Sequence, residues 1–225
     1  MFAFTNLMNS IKKQFNENKY FLIPYILLIL ASIVLLLIYS KTELHIASNT
    51  ANNNFFDYFF KYATLLGDGA VIAVLFVILL FFSYRNAFAF LTGSLLASLI
   101  VNVMKKLIFH DMYRPSKYFE LFETHKLHLV EGIKLHQLQS FPSGHSATAF
   151  NVFFTLAILV KNNTLKFVFL VLAYLVAYSR IYLSQHFLID ITVGSFIGVI
   201  FIFFSFIWFS NFNSPWLNRS VLNRK

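Results

Sequence analysis

The feature that most constrains this chain is its series of long apolar segments, which are separated by short polar ones. Hydrophobic residues make up 58% of the 225 residues, and charged residues only 12%. A soluble domain of this length cannot bury so much apolar surface, because a folded protein of this size leaves much of its surface in contact with solvent. The chain is therefore expected to lie in a lipid bilayer.

Six apolar segments are predicted to cross the membrane as helices. The first has the length of roughly 20 residues that a transmembrane helix needs. The sequence thus predicts an all-α fold, a six-transmembrane-helix bundle, with spans near 21–39, 70–82, 88–106, 143–160, 165–182 and 187–209.

Residues 41–69, between the first and second spans, join an asparagine-rich patch to a cluster of aromatic residues. Aromatic side chains beside polar groups suit the headgroup layer, so a short interfacial helix is expected there. Ordinary packing of these aromatics against the bundle is the alternative. A single domain is predicted over residues 1–225, with a motif-bearing core at about 60–205.

The net charge of +9 has two explanations, nucleic-acid binding and membrane orientation. Orientation is favoured, because the basic residues stand at the ends of apolar segments and in short loops. Residues 1–20 are polar and are expected to form a cytoplasmic lead into the first span. With both termini in the cytoplasm, nine lysines and arginines fall on the inner side, among them Arg224 and Lys225. Four of the nine on the outer side belong to the candidate site described below. Cytoplasmic termini and an outward-facing site are therefore expected.

Residues 179–190, Ser-Arg-Ile-Tyr-Leu-Ser-Gln-His-Phe-Leu-Ile-Asp, lie at the junction of the last two spans and carry three ionisable groups. His186 and Asp190 are four residues apart, so they would share one face of a helix. A carboxylate that accepts the proton of one imidazole nitrogen leaves the other nitrogen as a nucleophile, directed at an anion held by Arg180. A simple hydrogen-bonded pair beside an arginine that extends to the headgroups is the structural alternative.

The fourth span opens with Phe-Pro-Ser-Gly-His, residues 141–145. Gly144 would let a ligand approach the backbone, and the amides of a helix N-terminus attract an anion such as phosphate. Ser143 can cap that terminus or donate its hydroxyl, and His145 can supply a proton. Taken alone, Pro-Ser-Gly is also a common way to begin a helix.

A third segment contains Lys105, Lys106 and Arg114-Pro115. Lysines at a helix end often extend to the headgroups, and Arg-Pro can simply end the helix. All three segments nevertheless meet on the outer face in the predicted topology. A helix bundle does not need such a collection of cations and histidines, and the combination favours an anion site.

These segments resemble the three signatures of the type 2 phosphatidic acid phosphatase (PAP2) superfamily, Lys-x6-Arg-Pro, Pro-Ser-Gly-His and Ser-Arg-x5-His-x3-Asp. The second and third are matched in full by residues 142–145 and 179–190. The first departs, since eight residues separate Lys105 from Arg114 and seven separate Lys106 from it. Lys105 is favoured, because Lys105-Lys106-Leu107 resembles the start of that motif, followed by a two-residue insertion.

The resemblance implies a phosphohistidine mechanism. His186 would attack phosphorus, with Asp190 fixing its tautomer, and His145 would protonate the leaving oxygen. The phosphoryl oxygens would be bound by Lys105 or Lys106, Arg114, Arg180, Ser143 and the amide of Gly144. No metal and no other cofactor are expected, because the cations would replace Mg²⁺ and no carboxylate cluster suits it.

The expected activity is metal-independent hydrolysis of a lipid phosphomonoester or diphosphate. Candidate substrates are phosphatidylglycerol phosphate, phosphatidic acid, undecaprenyl diphosphate and the phosphates of lipid A. A lipid phosphotransferase and a non-hydrolytic phospholipid carrier or scramblase remain as alternatives. The expected partners are the anionic lipid substrate and membrane lipids, with no nucleic acid and no obligate protein partner. The remaining histidines are expected in loops, at positions 45, 110, 125, 128 and 136.

Overall fold

The computed structural model describes residues 2–223, with side chains from residue 5 onward. The inner-side charges predicted at Arg224 and Lys225 lie outside the described residues. Regular structure within this range is helical, which confirms the all-α prediction. In chain order, the helices are α1 (Phe2–Glu17), α2 (Lys19–Ile38), α3 (Lys41–Thr50), α4 (Asn54–Ala63), α5 (Gly69–Phe82), α6 (Tyr84–Val103), α7 (Pro115–Phe122), α8 (Gly144–Leu159), α9 (Asn163–Tyr182) and α10 (Leu188–Ser210).

Three short helical turns complete the described part of the chain. A 3₁₀ turn, Thr64–Gly67, joins α4 to α5, and a π-helical turn, Met104–Ile108, extends α6. A second 3₁₀ turn, Pro215–Asn218, follows α10. The first two of these turns adjoin residues of the candidate site.

Four helices are long and apolar enough to cross a membrane: α2, α6 with its π turn, α9 and α10. α4 and its 3₁₀ turn form with α5 a pair that is bent by 56° and that together qualifies as a fifth span. α8 is apolar but has only 16 residues, fewer than the roughly 20 that usually cross a bilayer. By length and composition residues 2–223 therefore contain up to five candidate spans, and the fourth predicted span, α8, is short by this measure.

Large apolar side chains are exposed along the long helices. Leu37 of α2 is 81% exposed, Phe82 of α5 is 71% exposed, and Leu107 in the π turn is 74% exposed. Exposed apolar surface on this scale is unfavourable in water but suits hydrocarbon. The chain is an integral membrane protein.

The segments on either side of α2 are more helical than expected. α1 covers most of the polar lead, and its residues Ile11 and Phe15 pack against the bundle core. The buried Lys166 of α9 donates to the Glu17 carbonyl at 2.6 Å, where α1 ends. Two helices, α3 and α4, replace the single interfacial helix predicted between the first two spans.

α10 is the central helix, and it packs closely against both α6 and α8. Two glycines one turn apart make the contact with α8 possible. A Cβ at Gly198 would lie 2.6 Å from the Ala147 carbonyl oxygen, and one at Gly194 would overlap the backbone of Ser143. Small residues at such spacing let two membrane helices approach backbone to backbone. As a result, α8 and α10 begin side by side.

We expect Gly198→Ala to destabilise the protein, because the added methyl group would press against α8. Over-packing of a close contact costs about 1–3 kcal/mol, which for a protein of this size lowers the midpoint of thermal unfolding by about 2–10 °C. The midpoint would be measured on purified protein in detergent.

Gly69→Ala is the matched control, because a Cβ at Gly69 meets no atom within 4 Å. This change should leave the midpoint unchanged or raise it slightly, since alanine restricts the unfolded chain more than glycine does. Equal midpoints for the two variants would contradict the close packing of α8 on α10.

Candidate functional site

His186 lies on a short turn between α9 and α10. The backbone N–H groups of Gln185 and His186 both donate to the Arg180 carbonyl, at 2.9 and 3.0 Å. Ser184 adopts a φ of 51°, in the left-handed region that reverses a chain within a few residues. This turn therefore holds Arg180 and His186 in one compact unit.

Asp190 holds His186 from the first turn of α10. Its Oδ2 lies 3.3 Å from His186 Nδ1 and accepts the Phe187 N–H at 2.9 Å and the hydroxyl of Ser140. His186 and Asp190 are only 1% and 2% exposed. Because the carboxylate accepts a hydrogen bond from Nδ1–H, Nε2 is left with its lone pair.

The charge state of His186 follows from its surroundings. Burial lowers the pKa of His186 well below its usual range, and the charges of Arg114, Lys105 and Arg180 lower it further. Each of these effects disfavours the imidazolium form. The imidazole is therefore neutral at physiological pH, and a neutral imidazole can act as a nucleophile.

Arg114 approaches the free nitrogen of this imidazole. Its Nη1 lies 3.5 Å from His186 Nε2 and donates to the side-chain oxygen of Gln185 at 3.1 Å. Its Nε donates to the Leu138 carbonyl at 3.1 Å. Pro115 begins α7 directly after Arg114, so helix formation fixes the backbone at this arginine. A guanidinium is thus held beside the free nitrogen of the imidazole.

The π turn of α6 contains both candidate lysines of the irregular first motif. A π turn has more residues per turn than an α-helix and is frequent at functional sites. Lys105 is half-buried, and its Nζ donates to the Gln139 carbonyl at 2.7 Å, next to the Ser140 that binds Asp190. The side chain of Lys106 is exposed and makes no hydrogen bond with the described residues, 5–223 for side chains. The geometry therefore favours Lys105, as the sequence did.

The N-terminus of α8 lies directly beside that of α10. The Ser143 N–H donates to the Asp190 carbonyl at 2.9 Å, and the Ser143 hydroxyl caps α8 by accepting the Ser146 N–H at 3.3 Å. A Cβ at Gly144 would make only an ordinary contact, 3.8 Å from Val101. Protein packing therefore does not account for this glycine, whereas space for a ligand would. His145 follows in the first turn of α8.

Arg180 is 7% exposed, and its Nη1 donates to the hydroxyl of Thr64 at 2.7 Å. Thr64, Ser140 and Gln185 are site residues that the sequence analysis missed. Ser140 and Gln185 stand next to matched motif residues, which is a weak signal. No spacing in the sequence indicates Thr64, because it belongs to the 3₁₀ turn before α5.

His45 corrects the expectation that all remaining histidines lie in loops. It is buried in α3, and its Nε2 lies 3.2 Å from the Ser184 hydroxyl. Burial lowers the pKa of His45 to about 4. α3 thus covers the turn that carries His186. The other four lie outside regular helices, as expected, at positions 110, 125, 128 and 136.

Comparison with known proteins agrees with this geometry. The family model of the PAP2 superfamily matches residues 86–214, which contain all three motif segments. The crystal structure of Aquifex aeolicus LpxE has a TM-score of 0.63 and 28% sequence identity, and the similarity covers 72% of this chain and 92% of that one. No curated protein matches the chain.

A second solved structure shares the fold. It is the transmembrane PAP2-type phosphatidylglycerolphosphate phosphatase from Bacillus subtilis, with a TM-score of 0.60 and 22% identity over 87% of this chain and 98% of that one. The family match itself spans more than half of the present chain. The resemblance seen in the three motifs is confirmed, and the chain belongs to the PAP2 superfamily.

Proposed function

We propose that this protein is a lipid phosphatase that transfers a phosphoryl group from a membrane lipid to His186 and then to water. Family membership and the two similar solved structures support a phosphoric ester hydrolase in the membrane. The observation that carries the mechanism is the buried His186–Asp190 pair, whose free Nε2 faces the guanidinium of Arg114.

In the first step, the lone pair of His186 Nε2 attacks phosphorus, and the bond between phosphorus and the lipid oxygen breaks. His145, which the negative charge of the bound phosphate favours in its protonated form, gives its proton to that oxygen, so the lipid leaves as an alcohol, or as a phosphate if the substrate is a diphosphate. The product is a phosphohistidine, whose positive ring is stabilised by Asp190.

In the second step, water attacks the phosphohistidine. His145, now neutral, accepts a proton from the water, and the bond between Nε2 and phosphorus breaks. Inorganic phosphate leaves, and His186 returns to its neutral state while His145 is protonated again. The same histidine thus serves as acid and then as base.

The phosphoryl oxygens carry negative charge throughout, and we assign their binding to cations and backbone donors. Lys105, Arg114 and Arg180 supply the positive charge, and the Ser143 hydroxyl and the Gly144 amide supply further hydrogen bonds. Because these groups replace a divalent metal, activity should persist in EDTA.

The substrate and topology belong to the same proposal. The Bacillus subtilis protein is named as a phosphatidylglycerolphosphate phosphatase, which makes phosphatidylglycerol phosphate the first substrate to test. Phosphatidic acid, undecaprenyl diphosphate and lipid A phosphates complete the panel. Six spans, with α8 as the short one, would place both termini in the cytoplasm and the site at the outer face of a bacterial inner membrane.

Two alternatives differ from hydrolysis in measurable ways. A phosphotransferase would form the same phosphohistidine but pass the group to an acceptor lipid, so added acceptor would yield a phosphorylated lipid. A carrier or scramblase would move lipid without releasing phosphate and would be indifferent to the loss of His186. The oriented histidine argues against the carrier, because binding alone needs no nucleophile.

We expect His186→Ala to reduce phosphate release by about three orders of magnitude or more, because it removes the covalent nucleophile. Release would be measured in EDTA with purified protein and the substrate panel. Wild-type protein quenched during turnover of a labelled substrate should carry acid-labile phosphate on His186. Unchanged turnover in the variant would refute the mechanism.

The two adjacent lysines provide a matched pair of variants. Lys105→Met should lower kcat/KM about a hundredfold, because a positive charge at the phosphoryl oxygens is lost. Lys106→Met, which changes an exposed side chain, should alter it by no more than about twofold. A larger loss in Lys106→Met would reverse the assignment of the first motif.

The pH profile tests the charge state of the nucleophile. The pKa of His186 lies below the ordinary histidine value of 6.5, so the neutral form persists as the pH falls through 6.5. On the acid side of the profile, we expect kcat/KM, corrected for the ionisation of the substrate, to decline only below pH 6.5, and on the alkaline side it should fall as His145, the proton donor, loses its proton. An acid-side decline with a midpoint at or above 6.5 would contradict a depressed pKa at the nucleophile.

A further inference from the structure

The 3₁₀ turn Thr64–Gly67 contacts the candidate site in addition to the three motif segments, although it contains no motif residue itself. A Cβ at Gly67 would lie 2.9 Å from the His145 carbonyl oxygen and 3.1 Å from the His145 Cβ. Only glycine allows this approach without displacing the start of α8. The turn is therefore fixed against the helix that carries His145.

Thr64, at the start of this turn, is 7% exposed and accepts a hydrogen bond from Arg180. The bond uses Nη1 at 2.7 Å. The buried Nε of Arg180 has no hydrogen-bond partner among residues 2–223, and none is formed by Nη2. The N–H groups of a buried guanidinium normally all donate hydrogen bonds, because each buried donor without an acceptor costs folding free energy.

The geometry of the guanidinium explains why Nη1 is hydrogen-bonded while Nε and Nη2 are not. Nε–H and one N–H of Nη2 point to the same side of the planar group, and this edge can bind two oxygens of a phosphate at once. Nη1 lies on the other side. Thr64 therefore binds Arg180 on the side of Nη1 and leaves the Nε and Nη2 edge free for a bidentate phosphate.

We propose that Thr64 is a positioning residue that holds Arg180 with its Nε and Nη2 edge free for the phosphoryl group. The proposal rests on the function proposed above. An arginine that is already oriented loses less conformational entropy when the transition state forms, so its hydrogen bonds contribute more to rate. Thr64 would touch no substrate atom itself and would act only through Arg180.

The alternative is that Thr64 merely satisfies a buried donor and supports folding. The two roles differ in what a substitution changes. A structural role would lower the stability of the protein and the yield of active molecules, whereas a positioning role would lower kcat for molecules that are folded. A positioning role would also disappear once Arg180 is absent.

The test compares Thr64→Val, which removes the hydroxyl but keeps the shape, with Thr64→Ser, which keeps the hydroxyl. Thr155→Val in α8 is the matched control, because Thr155 is fully buried and its hydroxyl has no hydrogen-bond partner within residues 2–223. For each variant, kcat, KM, the thermal midpoint and inhibition by orthovanadate would be measured.

Thr64→Val should lower kcat/KM about 10-fold to 100-fold, mainly through kcat, because it removes a hydrogen bond to a charged group. Orthovanadate, which imitates the phosphoryl transition state, should inhibit this variant more weakly by a similar factor. Thr64→Ser should recover most of the activity, and Thr155→Val should match the wild type. In an Arg180→Ala background, Thr64→Val should have no further effect on kcat.

Several results would overturn the proposal. These are wild-type kinetics in Thr64→Val, equal losses in Thr64→Ser and Thr64→Val, and an undiminished effect of Thr64→Val without Arg180. A wild-type protein that releases no phosphate from any lipid would instead refute the proposed function. In that case, the affinity for orthovanadate alone, measured by calorimetry, still tests Thr64, since equal affinity in wild type and Thr64→Val would refute its positioning role.

Discussion

The hydrogen bond from the Ser143 N–H to the Asp190 carbonyl ties together the two helix N-termini on which the site is built. It can form only because Gly194 and Gly198 let α10 approach α8 to backbone contact. Side-chain volume at either glycine would separate the helices and move the amides of α8 away from the His186–Asp190 pair. The chemistry of the site therefore depends on a packing contact between two apolar helices.

The second constraint is electrostatic, because three cations are partly or wholly buried beside one carboxylate. Backbone carbonyls accept hydrogen bonds from two of these cations, the Gln139 carbonyl from Lys105 and the Leu138 carbonyl from Arg114. Carbonyl dipoles compensate only part of a buried positive charge. An anion that enters the site is therefore attracted by the charge that remains uncompensated. The segment just before α8 thus keeps the cations in place and leaves them able to bind an anion.

Much of this arrangement can be predicted from the sequence, because bilayer-length apolar segments and short exact motifs carry strong signals. The matched spacings of His186 and Asp190, and of Ser143 and His145, indicated residues that the fold does bring together. The extra residues in the first motif were visible, but the π turn that turns Lys105 inward and Lys106 outward was not. A π turn depends on the tertiary contacts of the helix end, which a hydrophobic pattern does not encode.

Other features depended on contacts between distant parts of the chain. Thr64 and His45 bind the turn around Arg180 and Ser184 from segments that the sequence assigned to the membrane interface. α1 was expected as a polar lead because of its lysines and other polar residues, yet Ile11 and Phe15 pack against the bundle core. Hydropathy averages over a window and so hides single contacts of this kind.

The balance of charge at the site bears on which ligand it suits. Lys105, Arg114 and Arg180 carry three positive charges, and an ionised Asp190 carries one negative charge while His186 is neutral. The excess of two positive charges, which becomes three when His145 carries the proton that it donates, can compensate both charges of a phosphomonoester dianion, whereas a phosphodiester carries only one negative charge. In a buried site of low polarity, an uncompensated charge is costly. Electrostatic balance alone therefore favours terminal phosphate groups over the phosphodiesters of the surrounding bilayer, and this would keep the abundant membrane lipids from occupying the site.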